Sequence, residues 1–151
     1  MAITIVEYNH TTKKLLDLSM VDEAANFYLE LLDGTTAFDA THTTKDEVDD
    51  TGADEIDGSG WPTGGVNLAN VAVTVVDTST ARLDADDVSV TASGGNITGA
   101  FGAVVYVNEG DADTTYSPLW HVDFGEEKGA VSGDPFSIAI NPAGLCTVVV
   151  I

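Results

Sequence analysis

Carboxylates are the most abundant side chains in this sequence that could do chemistry, and one stretch is dense enough to suggest a cation site. Residues 44–58 read TKDEVDDTGADEIDG. An EF-hand calcium loop needs acidic ligands at positions 1, 3 and 5, glycine at position 6 and glutamate at position 12. With Gly52 at position 6, position 5 is Thr51 and position 12 is Gly58. The EF-hand pattern is therefore absent, which leaves a solvated acidic loop as the default and irregular cation binding as the alternative.

Two further acidic clusters, at residues 84–87 and 109–113, raise the question of paired-carboxylate catalysis. Glycoside hydrolysis uses two such carboxylates. A glycosidase also needs a sugar cleft lined by aromatic side chains, and aromatic residues make up only 7% of this chain. A Gly-x-Ser-x-Gly elbow, a phosphate loop and a dinucleotide fingerprint are all missing from the sequence. We therefore predict that the protein is not an enzyme.

The histidines and the cysteine show no metal-ligand spacing. His10, His42 and His121 are far apart, and none belongs to a His-Glu-x-x-His motif. Because His121 lies between two apolar residues of a predicted strand, its side chain is expected to point outward, as an ordinary surface histidine or one with satisfied hydrogen bonds. Cys146 lies in an apolar segment without flanking positive charge, which is typical of an inert buried thiol. No catalytic, cofactor-binding or metal-ligating residue is predicted.

The charge balance is strongly one-sided. Of 151 residues, 25 are Asp or Glu and 5 are Lys or Arg, which gives a net charge of -20. Such a chain repels nucleic-acid phosphates and anionic membrane surfaces, so neither is expected as a partner. Dense acidity is better tolerated at high salt, where the screening length falls from about 10 Å at 0.1 M to about 3 Å at 1 M. We therefore expect a halophilic or marine setting.

Length and apolar content indicate one folded domain. A chain of 151 residues with 44% hydrophobic residues is long enough for a core without disulfides. Residues 1–20 carry several charges, so no secretory signal peptide is expected. The longest apolar run, residues 148–151, is far shorter than the roughly 20 residues of a membrane-spanning helix.

Short strands separated by Gly, Pro, Asn and Asp turns dominate the pattern. The predicted strands are residues 1–5, 26–32, 66–77, 81–90, 99–108, 118–124, 136–140 and 145–151. One helix is predicted over residues 11–20, and a long polar loop over residues 35–65. The pattern indicates an all-β fold, with a single β-sandwich or jelly-roll-like domain over residues 1–151.

Alternation along these strands assigns an apolar face to each of them. The strand at residues 26–32 places Phe27, Leu29 and Leu31 on one face and Tyr28, Glu30 and Leu32 on the other. Elsewhere the residues predicted to face the core are Val71, Val73, Val75, Val88, Val90, Phe101, Ala103, Val105, Val107, Trp120, Val122, Phe124, Phe136, Ile138 and Ile140.

Five blocks of the sequence, taken together, resemble a known protein family. They are residues 58–70 (GSGWPTGGVNLAN), 81–92 (ARLDADDVSVTA), 99–107 (GAFGAVVYV), 118–126 (PLWHVDFGE) and 133–145 (GDPFSIAINPAGL). In this order and spacing the chain resembles a family of small all-β virion-associated proteins encoded by tailed phages and proviruses. The loop at residues 40–57 is more acidic than the family leads one to expect, which suits a virus of a halophilic host.

The resemblance implies a non-enzymatic viral structural protein that decorates or cements the capsid shell. Its expected partners are the major capsid protein and further copies of itself, most simply as a homotrimer, because closed rings suit symmetric lattice points. It would be made in the host cytoplasm and end on the capsid surface of the virion. Two alternatives stay open. One is a tail or fibre adhesion module with glycan-contacting aromatics such as Trp61 and Tyr116, and the other is a free calcium- or carbohydrate-binding module.

The two chain ends are the predicted interface. Chain ends stay ordered only when something ties them down, and a strand apolar on both faces is usually covered on both. The candidate interface residues are Ala2, Ile3, Ile5, Val148, Val149, Val150 and Ile151. Replacement of Asp49 and Asp50 by Asn, by contrast, is expected to leave incorporation into particles intact.

Salt should stabilise the fold. Because 25 acidic residues face 5 basic ones, charge repulsion works against the compact state in dilute buffer, and screening removes it. Thermal melts should therefore shift upward between about 0.05 M and about 2 M KCl as the Debye length shortens. A melting temperature that stays flat or falls over this range would contradict adaptation to high salt.

Overall fold

A computed structural model describes residues 3–16, 27–78, 80–108, 116–141 and 144–149. The elements in these ranges are β1 (Thr4–Glu7), α1 (Thr11–Leu16), β2 (Phe27–Leu32), α2 (Lys45–Val48), β3 (Glu55–Ile56), β4 (Val66–Asn67), β5 (Ala72–Val75), β6 (Thr80–Asp84), β7 (Val88–Thr91), β8 (Ile97–Asn108), β9 (Tyr116–Ala130), β10 (Pro135–Ile138) and β11 (Cys146–Val149). All strand pairs among them are antiparallel. The predicted all-β class is confirmed, while the sandwich or jelly-roll arrangement stays a prediction.

The main sheet is built around the long β8–β9 pair. Its strand order is β1-β9-β8-β2-β3, and β4 pairs with β2 as well. Leu29 lies opposite Val105, which lies opposite Trp120 on the next strand. The β-branched residues of β8 favour this pleated, half-buried setting. Two small sheets, β10-β7 and β11-β6-β5, complete the described strands.

One face of the main sheet carries the larger core. The predicted inward residues Phe27, Leu29 and Leu31 are buried there. They pack in one cluster with residues of β8, β9 and other segments, and its members include Trp61, Leu68, Leu83, Ile97, Val105, Leu119, Trp120, Phe124 and Phe136. Val90, Val122 and Ile138 are half-buried against the same cluster. Alternation therefore predicted this face well.

The opposite face of the main sheet is also buried. Leu32, Val104 and Tyr106 form a second cluster there with Tyr8 and Val48. Val48 belongs to α2, which lies inside the stretch predicted to be a solvated polar loop, so that prediction is wrong for this part. The helix forms because Glu47 accepts hydrogen bonds from the backbone N–H groups of Thr43 and Thr44, at 2.7 and 3.1 Å, and so caps its first turn.

Strand β5 does not face the core. Val71 is buried as predicted, but Val73 and Val75 are 47% and 75% exposed. Both lie on β5, an edge strand of the small β11-β6-β5 sheet, and every residue of that strand is exposed. The alternating pattern therefore predicted a strand correctly, but none of the described segments covers its side chains.

Phe101 is the other predicted core residue that the structure places outside, at 42% exposure. The β8–β9 register shifts between Ala100 and Gly102, which breaks the alternation at this point. The Phe101 ring lies against Gly34 instead, where an added β-carbon would approach it to 2.9 Å.

Several boundaries differ from their predictions. The first strand is Thr4–Glu7 rather than residues 1–5, and the predicted strand at residues 66–77 splits into β4 and β5. The helix predicted at residues 11–20 is confirmed over Thr11–Leu16, and its remainder lies outside the described residues. Neither described helix is long and apolar enough to cross a membrane.

Candidate functional site

A buried lysine surrounded by carboxylates lies between α2 and the second face of the main sheet. We call Lys45, Glu30, Asp49 and Glu55 the lysine cluster. The Lys45 ammonium is 3.0 Å from Glu30 Oε2 and 3.7 Å from Glu55 Oε2, and it donates a hydrogen bond to Asp49 Oδ2. All four side chains are at most 5% exposed. Charged side chains are rarely buried so fully, and clusters of buried ionisable groups are often found at functional sites. We therefore take this cluster as the candidate site.

Local structure brings each member of the lysine cluster into place. Glu30 is in the middle of β2, where strand alternation turns it away from Leu29 and Leu31 and toward α2. Lys45 is the first residue of α2 and Asp49, four positions later, is its C-cap residue, which places both on one side of the helix. The burial of Val48 holds that side against the sheet.

The carboxylates outnumber the ammonium, and two of them are incompletely paired. Neither oxygen of Glu30 accepts a hydrogen bond from the described residues, although Oε2 is within ion-pair distance of Lys45. Asp49 Oδ1 has no hydrogen-bond partner either. Glu55 Oε1, in contrast, accepts the backbone N–H of Gly64. Buried acceptors of this kind are uncommon in native proteins, and each costs about 1–3 kcal/mol when unsatisfied.

Burial dominates the electrostatics of the lysine cluster. It raises the pKa of Glu30 to about 8, and the positive charge of Lys45 only partly offsets this. Burial also raises the pKa of Glu55. For Lys45 burial acts to lower the pKa, but the hydrogen bond to Asp49 and the charge of Glu30 outweigh it, so that pKa lies above its ordinary value.

A polar cavity of about 520 Å³ adjoins the lysine cluster and is lined by both Lys45 and Glu55. Three tyrosines with nearly parallel rings form one wall of this cavity: Tyr28, Tyr106 and Tyr116, with ring centroids 5.2 to 6.3 Å apart. The Tyr106 hydroxyl donates to the carbonyl of Gly64. The cavity therefore combines aromatic surface with carboxylates.

The predicted interface residues are only partly described. Ile3 is 60% exposed and Ile5 is 59% exposed. Ile5 lies on β1, an edge strand of the main sheet, and Ile3 directly precedes that strand. Val148 and Val149 lie on β11, an edge strand of its small sheet. Ala2, Val150 and Ile151 lie outside the described residues.

An apolar groove of about 550 Å³ runs beside β1. Its lining includes the exposed Ile3 and Ile5 together with side chains of β9 and β10, among them Trp120, Val122, Phe136 and Ile138. The groove therefore joins the exposed edge to the larger core. It is well separated in the sheet from the lysine cluster, which lies on the other face.

The surroundings of three side chains differ from those that the sequence pattern suggests. His121 does turn away from the larger core, but it is buried, with the Phe38 ring 5.5 Å from its own, and burial lowers its pKa. Trp61 is buried against Phe136 and is not an exposed glycan contact. Asp49 is fully buried rather than solvated, and the effect of its replacement by Asn on incorporation into particles stays a prediction.

Two sequence signals could have indicated the lysine cluster. Glu30 interrupts the otherwise apolar strand FYLELL, and a charge in such a strand needs a buried partner. Lys45 is one of only four lysines and has Asp49 four residues later. Neither signal identifies the partner of Glu30, because that contact spans two different elements.

Comparison with protein-family models, with curated proteins and with solved structures finds no match to the chain.

Removal of the lysine should destabilise the fold strongly. Lys45→Met would leave Glu30 and Asp49 buried without a counter-charge, and breaking a buried ion pair in this way typically costs about 3–5 kcal/mol. The matched control is Lys128→Met, which breaks an exposed pair with Glu126 and should cost less than about 1 kcal/mol. Urea unfolding of both variants measures the difference. Equal effects would show that the buried cluster contributes no more than a surface pair.

Glu30→Gln should change how stability depends on pH. Because the pKa of Glu30 is about 8 in the folded protein and near 4.5 ordinarily, the folded state binds more protons between these values. The free energy of unfolding therefore contains a contribution that falls as pH rises through this interval. Urea unfolding at about pH 5 and about pH 8 should show that the free energy of unfolding falls more between these pH values for wild type than for Glu30→Gln. Parallel losses in the two proteins would contradict a raised pKa at Glu30.

Proposed function

We propose that this protein is a non-enzymatic structural protein of a tailed virus, which decorates or cements the capsid shell. The observation that supports the proposal is the placement of exposed apolar side chains on strand edges. In the described residues, eight large hydrophobic side chains are exposed. Five of the eight lie on or directly beside β1 and β5: Ile3, Ile5, Val73, Val75 and Val76.

Strand β1 has the properties of an edge that another chain covers. None of the described strands pairs with its outer side. Edge strands of monomeric proteins are normally protected by charge, proline or a bulge, whereas residues 3–6 read ITIV. Full burial of an isoleucine side chain contributes roughly 1.5–3 kcal/mol, so Ile3 and Ile5 together could hold a contact.

Strands β5 and β11 form the two edges of the β11-β6-β5 sheet. An apolar C-terminal strand fits either the centre of a sandwich or a subunit interface. Its edge position favours the interface. Val73 and Val75 on the opposite edge extend the apolar surface that a neighbouring copy or the major capsid protein would cover.

Charge is poorly suited to hold this protein in an assembly. Three of the five basic residues already contact carboxylates: Lys45 inside the lysine cluster, Lys128 at 2.5 Å from Glu126, and Arg82 at 3.5 Å from Asp84. With a net charge of -20, copies repel one another at long range. Short-range apolar contact, helped by salt screening, is the interaction that could overcome this repulsion in a homotrimer.

The alternative is a tail or fibre adhesion module that binds glycans. The wall formed by Tyr28, Tyr106 and Tyr116 beside Glu55 and Asp57 favours it, because aromatic rings and carboxylates together suit sugar rings and hydroxyl groups. Copy number separates the two functions. Decoration requires a number of copies comparable to that of the capsid subunits, whereas a tail part is present in far fewer.

Charge introduced at β1 should prevent incorporation into particles. Ile5→Asp places a carboxylate where burial is proposed, and the lost apolar contact alone should weaken binding by at least about tenfold. The matched control is Val131→Asp, which changes a valine that is 57% exposed in the turn between β9 and β10. Both variants should melt close to wild type. Their copy number is then measured in purified particles by quantitative gel analysis.

Normal incorporation of Ile5→Asp would overturn the assignment of β1 as the interface. Equal loss in Val131→Asp would show that added charge, rather than position, is responsible. A wild-type protein present in only a handful of copies at the tail would overturn decoration and favour adhesion. Deletion of residues 148–151 tests β11 in the same assay, and full incorporation of that truncated chain would remove β11 from the interface.

A further inference from the structure

The lysine cluster has a deficit of positive charge that a bound ion would correct. Three carboxylates, Glu30, Asp49 and Glu55, surround one ammonium. In their ionised forms they leave two negative charges uncompensated at a site where all four side chains are at most 5% exposed. We propose that Glu30, Asp49 and Glu55 bind one hard divalent cation beside Lys45, and that Ca²⁺ is the ion that fits them best.

Unpartnered oxygens are the independent observation that points to a ligand. Lys45 contacts one oxygen of each carboxylate, namely Glu30 Oε2, Asp49 Oδ2 and Glu55 Oε2. Among the described residues, Glu30 Oε1 and Asp49 Oδ1 have no hydrogen-bond partner, and both residues are 0% exposed. A lysine ammonium therefore does not complete the cluster, and two lone-pair acceptors are left for a cation.

The carboxylates are close enough together to share one cation. Ligand oxygens from Glu30, Asp49 and Glu55 all lie within 4.8 Å of one another. Calcium–oxygen distances are about 2.3–2.6 Å, so ligands on opposite sides of the ion are roughly 4.6–5.2 Å apart. Carboxylate oxygens are also the ligand type that hard divalent cations prefer.

The polar cavity supplies both an entry route and further ligands. It is lined by Glu55, Thr51 and Gly52 at the margin of the cluster and has a volume of about 520 Å³, which admits water. Calcium accepts six to eight oxygen ligands in irregular geometry, whereas Mg²⁺ demands a near-ideal octahedron. Three carboxylates from three separate elements, supplemented by water, suit the less demanding ion.

A bound ion would fasten the covering segment to the sheet. Glu30 belongs to β2 and Glu55 to β3, both in the main sheet, whereas Asp49 directly follows α2 in the segment that covers the sheet. Ligation from both sides would cross-link the two layers, so Ca²⁺ should raise the melting temperature. This inference does not depend on the virion function, because it rests on the lysine cluster alone.

The test is calorimetric titration of CaCl₂ into the full chain after dialysis against a chelator, in high KCl to screen the other carboxylates. We expect saturable binding of one ion per chain. Glu30→Gln should weaken it by at least tenfold, and so should Glu55→Gln, which changes the cavity side of the cluster. The matched control is Asp50→Asn, next to Asp49 but exposed, which should bind Ca²⁺ like wild type.

A second readout uses Tb³⁺ in place of Ca²⁺. Tyr28, Tyr106 and Tyr116 line the adjoining cavity, so tyrosine-sensitised terbium emission should appear in wild type and Asp50→Asn and fall in Glu30→Gln. Absence of saturable one-to-one Ca²⁺ binding to the wild-type protein would overturn the proposal. So would unchanged affinity in both Gln variants, or an equal loss in Asp50→Asn. Tighter binding of MgCl₂ than of CaCl₂ would overturn the choice of ion.

Discussion

The buried contact between the Lys45 ammonium and its three carboxylates is the interaction on which the second half of the core depends. Glu30 stands in the middle of β2, the strand that pairs with β3, β4 and β8 and is apolar on its other face. Without a counter-charge, a fully buried carboxylate there would be strongly unfavourable. The segment that carries α2 must therefore dock on this face, and its docking also buries Val48 and Tyr106.

The same contact reduces the number of positive charges that are left for the surface of the protein. A protein with 25 acidic and 5 basic residues has few cations, and one of them is used inside the core. The surface is left almost uniformly anionic, so specific association has to come from shape and apolar contact. The exposed apolar residues at β1 and β5 are consistent with this constraint, because they lie where backbone pairing is also open.

Burial could be predicted from the sequence for the apolar side of the main sheet but not for strand β5. Residues such as Leu29, Val105 and Trp120 follow a period of two, which predicts a strand with one apolar side, and here that side is buried. The same period in β5 predicted burial for Val73 and Val75, which are exposed because no layer packs on that sheet edge. Alternation identifies a strand and its sides, but it does not say whether another element covers them.

The sequence by itself determined the all-β class, the positions of most strands, the short first helix and the apolar side of the main sheet. These properties follow from residue order within a few positions, since side-chain alternation and turn residues act locally. Only the tertiary structure decided that Glu30 meets Lys45, that His121 is buried under Phe38 and that Ile5 is left at an open edge. Each of these depends on which separate segments dock on one another, and the energy of a buried charge or an exposed edge is set by its partner rather than by its neighbours in the chain.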